Sequence, residues 1–172
     1  MANNKLKIFD LALIALLAAI LFAQEQILTN IPGVQLSIFL IILFSKSLGL
    51  TKTVIIVIIY VLLDNFYMNT FSLHYTPVML VGWLLIPLTI CTIFKKIESP
   101  LILGLLSMAY AFIYCWLYII PNYFLLGIGP IEYLISDIIF EIILAICSFL
   151  TVFWLYKPCS RLINLLLIKK NK

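Results

Sequence analysis

Tyr133, Asp137 and Glu141 recur at intervals of four, so a helix through them carries a phenol and two carboxylates on one face. Ser148, seven residues beyond Glu141, continues that face. The surrounding sequence is almost wholly apolar, which makes the acids informative. An ionisable group at mid-membrane costs roughly 2.5–3.5 kcal/mol on insertion scales, so such groups face a protein interior or a wet cavity. Counting about 1.5 Å per residue from Ile131 places Asp137 about 9 Å and Glu141 about 15 Å along the helix. A polar stripe that starts at one end and stops near the middle suits a cavity open at that end better than a through-pore.

Rings supply a second candidate wall. Tyr110, Tyr114 and Tyr118 share a four-residue spacing, with Trp116 on another face and Trp83 on a separate apolar run. Trp116, Tyr118 and Tyr123 fit an aromatic belt at headgroup level. Tyr110 and Tyr114 lie deeper, as ligand contacts or as ordinary packing. Aromatic faces beside carboxylates hold a flat ring or a cation by stacking and cation–π attraction. The candidate binding set is therefore Asp64, Trp83, Tyr110, Tyr114, Tyr133, Asp137 and Glu141. Other acids have plainer readings. Glu132 suits the first turn of a helix, where it complements the dipole. Glu25, within Gln24-Glu25-Gln26, marks the interfacial end of the first apolar run, and Asp64 with Asn65 is open to a backbone-bonding role as well.

The elements that must position these groups follow from composition. At 65% hydrophobic, 10% charged and a mean hydropathy of +1.22, the chain reads as an integral membrane protein. A crossing helix needs about 20 apolar residues. Six spans are predicted, over 8–30, 34–50, 53–70, 76–94, 100–120 and 131–156, in one all-α domain covering 1–172. Pro32-Gly33, Pro77, Pro100, Pro121 and Pro130 mark span ends, and Pro87 predicts a kink within the fourth span. The second span is short. Beyond Pro158, Ser160–Ile168 is either an interfacial helix or an extension of the sixth span. The apolar run from Ile8 is too long for a signal-peptide core and reads as a retained helix.

All 11 Lys and Arg residues fall on one side of this layout. Lys5 and Lys7 precede the first span. Lys46 and Lys52 lie between the second and third, and Lys95 and Lys96 between the fourth and fifth. Lys157, Arg161, Lys169, Lys170 and Lys172 follow the sixth. Basic residues near span ends stay cytoplasmic, so both termini are predicted to face the cytosol. The net charge of +4 then suits anionic lipid headgroups and argues against nucleic acid as a partner. Five of the seven acids (Glu25, Asp64, Glu132, Asp137 and Glu141) map to the outer half, with His74 the only possible cation there.

Ala15, Ala19 and Ala23 form a small-residue ridge on the first span, with Ala12 and Ala18 nearby. Such ridges let helices approach closely, either inside the bundle or against a partner protein. Cys91, Cys115, Cys147 and Cys159 show no paired spacing and read as inert thiols, without a disulfide framework or metal cluster. No HExxH, GxSxG or phosphate-cradling loop occurs, so neither catalysis, ATP hydrolysis nor a cofactor is expected.

The order of these features resembles the substrate-capture (S) subunits of energy-coupling-factor vitamin transporters. The likeness covers nearly the whole chain: size, six spans, cytoplasmic ends and a short second span. Its local carriers are Ala15-Leu-Leu-Ala-Ala19, Ile31-Pro-Gly-Val-Gln-Leu36, Tyr60-Val-Leu-Leu-Asp-Asn65, Pro77 and Gly82-Trp83. The resemblance implies a bacterial plasma-membrane protein that binds a vitamin or related micronutrient near the outer face. It implies that Ala15 and Ala19 dock on a transmembrane scaffold carrying two cytoplasmic ATPases. Binding residues differ between members, so none transfers by motif. The excess of acids favours a cationic or amine-bearing ligand, or a neutral ring rich in hydrogen-bond donors. Two other readings stand beside this one: a cell-envelope scaffold similar to the cell-shape membrane subunit MreD, and a small proton-coupled carrier using Asp137 and Glu141.

Overall fold

The computed structural model describes residues 8–170, with side chains as far as Leu167. Lys5, Lys7 and Lys172 lie outside the described residues, as do the side chains of Lys169 and Lys170. Long apolar runs in lipid must satisfy their backbone groups internally, and the chain does so as helices, with no strand among the described residues. In order these are α1 (Ile8–Leu28), α2 (Ser37–Leu48), α3 (Leu50–Tyr67), α4 (Tyr75–Thr92), α5 (Pro100–Leu117), the single turn α6 (Ile119–Pro121) and α7 (Pro130–Lys170). Among the described residues, five stretches are long and apolar enough to cross a membrane: α1, α3, α4, Pro100–Leu126 and Pro130–Leu167.

Prolines set the helix starts largely as their chemistry requires. Pro100 and Pro130 open α5 and α7, and Pro77 lies in the first turn of α4, where a missing N–H costs nothing. Pro87 sits inside α4, which continues through it to Thr92. The helices add three particulars to the predicted spans. α7 runs unbroken through Pro158 for 41 residues, so of the two readings of Ser160–Ile168 the extension of the sixth helix is the one observed. Within the connection 121–130, Asn122–Leu126 form a π-helical turn ended by Gly127 in the left-handed region (φ 69°). The second span is a helix of only 12 residues, roughly 18 Å long against a hydrocarbon core of about 30 Å, and the non-helical residues 29–36 before it make up the distance to the acidic end.

That short helix is the centre of the bundle. α2 packs against α1, α3, α4, α5 and α7, while neighbours in the surrounding arc meet as α1–α3, α3–α4, α4–α5 and α5–α7. Eight residues of α2, from Ser37 to Ser45, are buried, including Ile41 and Ile42 at 0% exposure. The outer helices instead expose large apolar side chains such as Ile20, Leu105 and Ile139, as lipid contact requires. Trp83, Tyr60 and Phe44 are the largest fully buried side chains and fill the arc around α2.

The two ends of the bundle differ in charge. At one, Lys46 Nζ donates to the Phe94 and Lys95 carbonyls at 2.8 and 3.0 Å, tying α2 to the segment after α4. Lys52 pairs with Asp10 at 2.9 Å across α3 and α1. Lys157 and Arg161 of α7 line a cavity of about 660 Å³ at this basic end, together with Lys46, Lys95 and Glu98. The opposite, acidic end carries the connections after α1, α3 and α5.

Candidate functional site

Polar residues of α1 and α3 meet at the acidic end. Gln24, Glu25 and Gln26 occupy the last turns of α1, and their different directions tie three partners. Gln24 Nε2 donates to Ser37 Oγ at 2.8 Å, while its Oε1 accepts from the Leu36 N–H at 2.9 Å. This anchors the strap 29–36 to the start of α2. Glu25 accepts a hydrogen bond from the hydroxyl of Tyr60, a fully buried residue of α3. Gln26 Nε2 donates to Asp64 Oδ1 at 2.9 Å, one turn further along α3. Beside it, Asn65 accepts from Thr76 Oγ1 at 2.8 Å and donates to the Val61 carbonyl, joining α3 to α4.

A cavity of about 250 Å³ opens above this network, lined by Glu25 and Asp64, Tyr114 of α5, Phe140 of α7 and the strap from Thr29 to Gln35. Gly33 lets the strap sit against α7. Its φ is +76°, and a Cβ there would lie 3.0 Å from Ile143 Cγ2 and 3.2 Å from the Phe140 carbonyl oxygen. Gly82 plays the same part for the ring wall, because a Cβ on it would stand 2.8 Å from Tyr114 Cδ2. Trp83 backs Tyr114 at 4.3 Å between ring centroids and meets Tyr60 edge-on at 6.1 Å. Tyr114 and Tyr118 share a hydroxyl hydrogen bond at 3.0 Å, and Tyr118 stacks on Tyr75 at 6.2 Å. Two carboxylates, two aromatic rings and no Lys, Arg or His among the lining residues make the cavity suited to a small ring bearing a cation or hydrogen-bond donors.

The sequence-derived set divides into three places. Asp64 and Tyr114 reach the cavity, and Trp83 supports it from behind. Tyr110 does not: it lies deeper in the bundle, paired with Thr89 at 2.6 Å between hydroxyls. Tyr133, Asp137 and Glu141 form a separate cluster in the α5–α7 seam. Trp116 Nε1 donates to Glu141 Oε2 at 3.2 Å, and the Tyr133 hydroxyl to Asp137 Oδ2 at 3.4 Å. Cys115 joins them, with its Sγ and one oxygen of each acid all within 4.8 Å of one another. Further down the seam, Ser148 Oγ donates to the Ser107 carbonyl of α5 at 3.3 Å. The polar stripe of α7 therefore faces a packed helix, not the cavity. Neighbouring residues split the two environments: Tyr114 and Phe140 face the cavity, Cys115 and Glu141 the seam.

Glu25, Gln26 and Tyr60 are the residues that sequence reasoning left out. The available signal was three consecutive polar residues, Gln24-Glu25-Gln26, at the end of an otherwise apolar helix. On α1 the alanine ridge has a definite setting. Ala15, Ala19 and Ala23 are all exposed, as are the flanking Leu16 and Ile20, whereas Ala18 on the opposite face is buried. Packing within the bundle thus falls to Ala18, Ile14, Leu17 and Leu21, not to the ridge.

No protein-family model, no curated protein and no solved structure matches this chain.

Proposed function

We propose that this chain is the substrate-capture subunit of an energy-coupling-factor importer. In this reading it crosses the membrane with both termini in the cytosol and binds a vitamin-like micronutrient at its outer, acidic end. The cavity framed by Glu25, Asp64 and Tyr114 beneath a glycine-hinged strap is the observation that carries the proposal. Its volume of about 250 Å³ fits a one-ring compound with a short substituent. Its charge selects a cation, an amine or a donor-rich neutral ring over a free carboxylate. The basic residues gathered at the other end agree with retention of that end in the cytosol.

Docking on a transmembrane scaffold with two ATPases is assigned to the exposed ridge Ala15, Ala19 and Ala23. Small side chains facing lipid allow another helix to come close, and substituting them leaves the bundle's own contacts intact. Ala15→Trp or Ala19→Trp accordingly abolishes uptake in cells supplying scaffold and ATPases, while ligand binding by the isolated chain persists. Loss of both together would mean misfolding and count against docking.

The direct test is ligand retention. The protein is purified under mild conditions from a bacterial host, and any bound small molecule is identified by mass spectrometry. A stoichiometric ring compound that disappears in Glu25→Gln/Asp64→Asn supports capture. An empty protein that travels with wall-synthesis enzymes overturns it in favour of the scaffold, and uptake without any ATPase overturns it in favour of the carrier.

A further inference from the structure

We propose that Cys115, Asp137 and Glu141 form a binding site for a divalent transition-metal cation, with zinc the ion best matched to the donors. The Sγ and one carboxylate oxygen from each acid lie within 4.8 Å of one another. Cys115 is 3% and Glu141 1% exposed, so these donors sit away from bulk solvent. One observation points to a missing partner: Glu141 Oε1 is buried and has no hydrogen-bond donor among the described residues. Its sister oxygen is held by the Trp116 indole, and Asp137 Oδ2 by the Tyr133 hydroxyl. Each acid is thereby oriented by a hydrogen bond to one of its oxygens, the kind of support that fixes carboxylate ligands around metals.

Charge argues the same way. A thiolate and two carboxylates in a helix seam of a membrane protein need a countercharge or must all stay protonated. No Lys, Arg or His side chain among the described residues pairs with Asp137 or Glu141. A doubly charged ion meets the need with one particle. Sulfur selects its kind, since hard calcium and magnesium prefer all-oxygen sites while zinc accepts thiolate and carboxylate together. Tetrahedral zinc holds such donors about 3.5 Å apart, so side-chain shifts of about 1 Å would complete the site from the present spread. Half-buried Asp137, nearest the acidic end, marks the entry side. The bound ion would pin α5 to α7 immediately behind Tyr114 and Phe140. The proposal does not depend on what the cavity binds.

The experiment uses the full-length protein in detergent, stripped with chelator and then titrated with Co²⁺ or Zn²⁺ alone. About one ion per chain is expected, with the near-ultraviolet sulfur-to-cobalt charge-transfer band of a thiolate ligand. Cys91→Ser/Cys147→Ser/Cys159→Ser keeps the band, Cys115→Ser abolishes it, and Asp137→Asn/Glu141→Gln weakens cobalt binding more than about tenfold. The triple variant leaves the cluster untouched, so the answer does not hang on whether Cys115→Ser folds. Folded protein with no band and only background metal overturns the proposal and leaves a proton shared between the acids. A band that survives in Cys115→Ser equally overturns it, placing the metal elsewhere.

Discussion

Two pairs of carboxylates sit near the same end of this bundle, and their surroundings could hardly differ more. Glu25 and Asp64 come from different helices, are held by Tyr60 and Gln26, and border an open cavity. Asp137 and Glu141 come from one helix, lie one turn apart, and sit where α7 packs on α5, Glu141 buried and Asp137 half-buried. Helix length makes the difference. Full-length α5 and α7 pack side by side over many turns. α2 spans 12 residues against 18 for α3, so it is roughly 9 Å shorter than that neighbour. The strap 29–36 covers that shortfall, and the cavity lies beneath it. An acid's neighbours on its own helix say which way it points; the length of a helix elsewhere decides whether space exists there.

The sharpest way to break the contrast is to neutralise each pair in turn. Glu25→Gln/Asp64→Asn is expected to weaken binding of the retained ligand at least about 100-fold, since hydrogen bonds to charged groups are worth about 1.5–3 kcal/mol each. Asp137→Asn/Glu141→Gln should leave that affinity within about threefold, as neither residue lines the cavity. Equilibrium binding to purified protein measures both. Equal losses would mean that the seam and the cavity act as one site. Next in size is Gly82→Ala. The added Cβ meets Tyr114 at 2.8 Å and displaces the ring that forms the wall, at a cost of about 1–3 kcal/mol. A roughly tenfold loss of ligand affinity should follow, measured by the same titration.

Much of the architecture was legible because lipid imposes simple rules. Apolar runs became helices, and prolines at 77, 100 and 130 marked their starts. Pro158 left two readings open: a helix loses one N–H there, yet α7 continues beyond it with Leu162, Leu165 and Leu166 still helical. The candidate site was legible only in part. Asp64, Tyr114 and Trp83 belong to it, but Tyr110 and the Tyr133–Asp137–Glu141 stripe do not. Periodicity assigns a residue to a face and is silent about which helix covers that face. Glu25 was passed over for the converse reason. Its buried donor, Tyr60, lies 35 positions away, and only the bundle brings the two together.

The two tyrosine–carboxylate pairs sharpen the comparison on a smaller scale. Tyr60→Phe removes the fully buried hydroxyl that donates to Glu25, a loss of about 1–3 kcal/mol. A drop of about 5 °C in the thermal midpoint of purified protein is expected. Tyr133→Phe should hardly register, with a change below about 0.5 kcal/mol in the same assay. Its bond to Asp137 is long at 3.4 Å, and both residues are only half-buried, so water replaces the hydroxyl readily. A Tyr133→Phe effect as large as that of Tyr60→Phe would mean that the long bond to Asp137 counts for as much as the one donated by fully buried Tyr60, and the contrast between the two tyrosines would fail.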